Sequence, residues 1–248
     1  MKHKTAITLS LALLFSTPHL AAAGMVSALD SLFGPATGRG EESFQVAKKK
    51  ALADKDPWHA WLELSASDPG DISSDIREQY SELAASLVLS AARKNNPDAL
   101  VLVFSRDDAP GFVGSRPELY EPLLMLAEKA AGNRKDKELL MAAGDILQKG
   151  QWTIKDSQRA AGYYSRAWLA GENSAPAKIY SIYQELQDPG SAYLWQLRCI
   201  GNCRIWQDES YSPVTQLLNP RQIQWIQKQA RDKTVITVNG LAALKELQ

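Results

Sequence analysis

Few side chains in this sequence could do chemistry, and they fall in two places. His59 stands between Trp58 and Trp61 in "PWHAWLE", with Glu63 four residues on, and Cys199 and Cys203 close the stretch "CIGNC". A Ser-His-Asp or Cys-His arrangement beyond residue 23 has to use His59, because the other two histidines are His3 and His19. No G-x-S-x-G elbow accompanies it. An isolated histidine on an aromatic-rich helix therefore reads as structural. Glu63 beside two tryptophans is the one candidate for sugar-bond cleavage, since aromatic faces receive sugar rings and a glutamate can act as the acid. Zinc needs three or four converging His, Cys or carboxylate ligands, and no such spacing is visible, so no metal or cofactor is expected. Phosphate-cradling loops of the G-x-x-x-x-G-K-[ST] and G-x-G-x-x-G types are absent, and "DISSDIRE" and "SRDDAPG" lack the order of a calcium loop. No catalytic residue is assigned, and the chain reads as non-enzymatic.

What positions these residues begins at the N-terminus. "MKHKTAITLSLALLFSTPHLAAAG" carries Lys2 and Lys4, an apolar run from Ala6 to Phe15, and small residues ending Ala21-Ala22-Ala23. That order is a secretory signal peptide over 1–23, and it predicts a periplasmic protein. The apolar run is too short to span a membrane, no cysteine near the cleavage point offers a lipid attachment site, and no later stretch approaches 18 apolar residues. With Lys2 and Lys4 removed, 26 basic side chains face 28 acidic ones, a net charge of −2. A nucleic-acid partner is not expected from that balance. "AKKK" at 47–50 reads as a solvated helix face. In an oxidising compartment Cys199 and Cys203 should pair, and i,i+4 spacing at a helix end puts their Cα atoms about 6 Å apart, within disulfide reach. The spacing is not C-x-x-C, and no βαβ pattern surrounds it, so the bond reads as structural and not redox-active.

The rest is helical. Residues 24–40, with Gly34, Pro35, Gly38 and Gly40, read as a flexible tether, 41–131 as an N-terminal helical region, and 132–248 as a second region with a C-terminal cap. Ser74 is a candidate cap for a helix carrying Ile76, Tyr80, Leu83 and Leu87, and "PDALVLVFS" reads as a short buried helix. "RDDAPGFVGSRPE" reads as a loop. Helices follow over 117–131, 136–148, 156–170, 174–186, 189–200 and 220–231, and only "TVITV" near the end reads as strand. The expected fold is all-α, antiparallel helix pairs in a stack.

A repeat lies inside this region. Counting back from Gly171 gives Ala160, Tyr163, Tyr164 and Ala167, and the same offsets from Gly201 give Gly190, Tyr193, Leu194 and Leu197. Upstream, "LLMAAGDILQKG" supplies a small-residue helix with Ala142, Ala143 and Gly144, ending at Gly150, and Asp156 precedes the second helix. This pattern resembles the Sel-one-like repeat family, a branch of the tetratricopeptide-type helical repeats, over 139–171, and more weakly to 201, where the unit is shorter and Gly190 replaces the alanine. "CIGNC" is also similar to the cysteine-rich secreted members, with a shorter spacing. The resemblance implies a short solenoid whose surface binds proteins. It further implies an adaptor in envelope assembly, secretion or polysaccharide export, or an immunity protein that neutralises a periplasmic toxic effector. An enzyme acting on the cell wall is the third possibility, carried by Glu63 alone. Large aromatics favour partner contacts. Tyr163, Tyr164 and Tyr193 fall on the packing stripe, whereas Trp195 lies one residue outside it and Trp206 follows the disulfide. Trp195 and Trp206, with Tyr183 third, are therefore the expected partner-binding residues, although both tryptophans fit equally well as an aromatic cap on the helical stack.

Overall fold

The computed structural model describes residues 38–67, 72–106, 109–201, 203–205 and 213–238. The expected signal peptide and most of the expected tether therefore lie outside the described residues, as does Trp206. Five helices begin on an Asp or Asn whose side chain accepts a backbone N–H of the first turn. Asp56 caps α2 (Pro57–Ala66), Asn96 caps α4 (Pro97–Ser105) and Asp156 caps α8 (Ser157–Leu169). Asp188 caps α10 (Pro189–Arg198) and Asn219 caps α11 (Pro220–Gln229). Four of these caps precede a proline at the first helical position, where its fixed φ suits the helix and its missing N–H costs nothing. Each such cap contributes about 1 kcal/mol to the start of its helix.

The remaining helices are α1 (Gly38–Ala53), α3 (Ser74–Arg93), α5 (Pro110–Val113), α6 (Arg116–Lys129), α7 (Lys137–Lys149) and α9 (Ala175–Glu185). Two 3₁₀ turns, Arg134–Asp136 and Val214–Leu217, join them. The expectation of an all-helical chain holds among the described residues, with the following local differences. First, α1 starts at Gly38, so the last three residues of the expected tether, 38–40, are helical. Second, the stretch read as a loop contains the single turn α5, too short for periodicity to reveal. Ser74, read as a cap, is instead the first residue of α3, behind Ser73. Third, "TVITV" is not a strand: Thr234 belongs to a turn, and residues 235–238 have no strand beside them among the described residues. Its polar groups turn to α10 instead: Trp195 Nε1 donates to Ile236 O at 2.9 Å, and Val238 N donates to Ser191 Oγ at 3.1 Å.

Helices pack mainly on their neighbours in sequence, most closely α7 on α8, then α9 on α10 and α8 on α9, while α4 also lies against α7. One buried apolar cluster runs from Phe44 to Val238 and takes in both regions. The α7–α8 contact shows its cause. A Cβ added at Gly144 would meet the Tyr164 ring at 2.4 Å, so only glycine lets the two helices come this close. At the turn between them Asp156 N donates to Leu147 O at 3.0 Å. The 147–156 and 144–164 contacts run in opposite directions along the two helices, so this pair is antiparallel. Gly150 ends α7 in the left-handed region at φ 64°, as an αL cap requires.

The close approach gives a direct test. Gly144→Ala should lower stability by about 1–3 kcal/mol through overpacking. In a Tyr164→Ala background the same change should cost far less. Denaturant melts of the two single variants and the double variant measure that coupling.

Candidate functional site

Of the three expected partner-binding residues, Trp206 lies outside the described residues and Trp195 does not reach the surface. Trp195 is fully buried, at 0% relative exposure, and the expectation that it stands outside the core is corrected. Its ring meets Trp168 edge-on, with centroids 5.1 Å apart, and the Arg198 guanidinium lies 4.6 Å from its centroid and 4.7 Å from that of Trp168. Arg198 is itself buried and donates to Asp232 O at 2.7 Å, which fixes the chain after α11 onto α10. Burial lowers the guanidinium pKa from its ordinary value, opposed by the nearby Asp232. Tyr183 is half-buried, and burial raises its hydroxyl pKa. Tyr163, Tyr164 and Tyr193 are buried, as their place on the packing stripe requires. The tryptophan–arginine stack was missed in the sequence, although Arg198 stands three residues after Trp195 on one helix face.

Cys199 and Cys203 are disulfide-bonded, with Cα atoms 5.0 Å apart. Cys199 is the residue just past α10, and the bond closes the turn beyond that helix.

A different group of side chains does converge. The segment "ADKDPWHAWLE" turns from α1 into α2 through two aspartates. Asp56 caps α2, accepting from Trp58 N at 2.9 Å. Asp56 N in turn donates to Asp54 Oδ1 at 2.8 Å, which fixes the Asp54 carboxylate beside the first turn of α2. Its other oxygen lies 2.6 Å from His59 Nδ1. Glu63, one turn further along α2, places Oε1 4.0 Å from His59 Nε2. Donor atoms of Asp54, His59 and Glu63 all lie within 4.8 Å of one another, and among the described residues they form a group that could hold a metal ion. The hydrogen bond to Asp54 raises the His59 pKa, and the same bond, with the Asp56 N–H, lowers that of Asp54. Sequence reading singled out His59 and Glu63 but not Asp54, whose only signal is its place two residues before the capping Asp56.

Glu63 also faces an open groove of about 770 Å³ between α1 and α2. Ala47, Ala51 and Leu64 line it, with Glu42, Ser43, Lys50 and Ser67. Lys50 Nζ crosses it to Glu63 Oε1 at 2.9 Å. Trp58 and Trp61 stack with centroids 4.5 Å apart, and Trp61 is buried, so the inner ring face is taken up by packing and is not offered to a sugar.

No protein-family model, curated protein or solved structure matches this chain.

Trp195→Ala should cost about 3–5 kcal/mol, the range for truncating a core tryptophan. Thermal melts with folding reversibility checked will read this, and a wild-type melting temperature would return Trp195 to the surface.

Proposed function

We propose that the chain is an exported, disulfide-bonded helical-repeat protein that works by holding another protein in the bacterial envelope. The observation that carries this reading is the packing of consecutive helices in pairs, α7 with α8 and α9 with α10. In the first pair Gly144 receives the Tyr164 ring, and in the second Ile179, Tyr180 and Tyr193 are buried. A repeat unit cannot bury its apolar face alone, so units stack and function falls to the surface they make. The signal-peptide pattern and the disulfide support export.

The turns after α7 and α9 supply a surface suited to a protein partner. Ile154 is 89% exposed and Leu186 is 50% exposed. The Lys155–Glu185 ion pair at 2.8 Å brings the two turns together, so the apolar side chains flank a charged pair. Contiguous exposed apolar patches rimmed by polar residues mark interaction sites, and Ile154 with Leu186 around the ion pair is the candidate patch. An adaptor role in an envelope machine is the reading adopted, with effector neutralisation as its alternative.

Affinity capture from envelope extracts at native expression should return one partner in stoichiometric amount. The double variant Ile154→Asp, Leu186→Asp should melt near wild type and lose that partner. Equal capture by the variant would remove this face from the interface. Turnover of purified peptidoglycan by the wild-type protein would replace the binder with an enzyme.

A further inference from the structure

His59 sits in an arrangement of lone pairs that a cation would resolve. Asp54 Oδ2, 2.6 Å from Nδ1, holds the proton on that nitrogen. In its neutral form the ring then directs its Nε2 lone pair outward. The group facing it is Glu63 Oε1, another acceptor, 4.0 Å away. That separation is too long for a hydrogen bond even from a protonated ring. It is close to what a shared metal ion needs. Bonds of about 2.0–2.2 Å at a tetrahedral angle place two donors about 3.4 Å apart. Rotation of the partly exposed Glu63 side chain covers the difference.

The supporting geometry is built before any ion arrives. His59 and Glu63 share one face of α2 at i,i+4. A carboxylate on the second ring nitrogen is the arrangement that fixes the tautomer and orientation of a metal-bound histidine. Asp54 is itself fixed by the Asp56 N–H, and Asp56 by its cap on α2. No thiolate competes, since both cysteines are in the disulfide.

We propose that His59 Nε2 and Glu63 bind a divalent cation of the zinc class at the mouth of the α1–α2 groove, with Asp54 as the positioning carboxylate. Two protein donors leave coordination positions for water, or for a carboxylate brought by whatever enters the groove. Lys50 Nζ, 2.9 Å from Glu63 Oε1, competes with the ion for that oxygen. The inference stands apart from the partner-binding reading, and either can fail without the other.

The test is a zinc titration of the untagged, disulfide-intact protein purified after export, followed by calorimetry and by the ring resonances of His59. One equivalent of zinc should bind and shift those resonances. Glu63→Gln and Asp54→Asn should each weaken binding by about tenfold or more, the range for lost ligands and their supports. His59→Ala should abolish binding, and Lys50→Ala should tighten it. No shift of the His59 ring at millimolar zinc would overturn the proposal, and so would binding that survives His59→Ala or is unchanged in Glu63→Gln. The ring signal is read on the wild-type fold, so a variant that fails to fold does not remove the test.

Discussion

Helix α8 lies against α7 because position 144 has no side chain, and the second half of the molecule follows from that contact. The ring of Tyr164 occupies the space a Cβ would take. Its hydroxyl reaches Asp145 at 2.5 Å, and Lys178 of α9 meets the same carboxylate at 2.7 Å. Burial and the Asp145 charge push the Tyr164 pKa well up, so the hydroxyl stays a donor. One glycine thus sets the spacing of α7 and α8, and one carboxylate ties α9 to both. Because interiors are close-packed, a change of one methyl at such a point is felt by all three helices.

The far end is closed by a different device. The chain after α11 returns along α10, held by Arg198, which packs beside both tryptophan rings, and by hydrogen bonds to Ser191 and Trp195. A guanidinium stacks on aromatic faces and still donates in its own plane, which lysine cannot do. The strap covers a helix on which Ser191, Ala192, Tyr193, Leu194 and Trp195 are all buried. At the opposite end, α1 and α2 leave a groove between them, so the two termini of the fold meet solvent differently.

The helices were legible in the sequence because their signals are local. A capping Asp or Asn before proline marks a start, and period-3.6 apolar positions mark the face that packs. The small-residue helix that holds Gly144 was legible for the same reason, and its contact with Tyr164 came from the structure. Trp195 was misplaced because periodicity assumes one buried face, whereas α10 is also covered by a segment some 40 residues later, at Ile236. The same blindness turned residues 234–238 into an expected strand. Asp54 was missed because its carboxylate is aimed by a backbone N–H in the turn, a contact that residue type alone does not announce.

Native-state hydrogen exchange read helix by helix tests the central claim, that the Gly144–Tyr164 contact anchors the fold. The amides of α7 and α8 should be the slowest and should open together, with α9 joining them, while those of α1 beside the open groove exchange through smaller openings. If α7 and α8 exchange as fast as α1, or open independently of each other, the contact does not hold the structure together and the account is wrong.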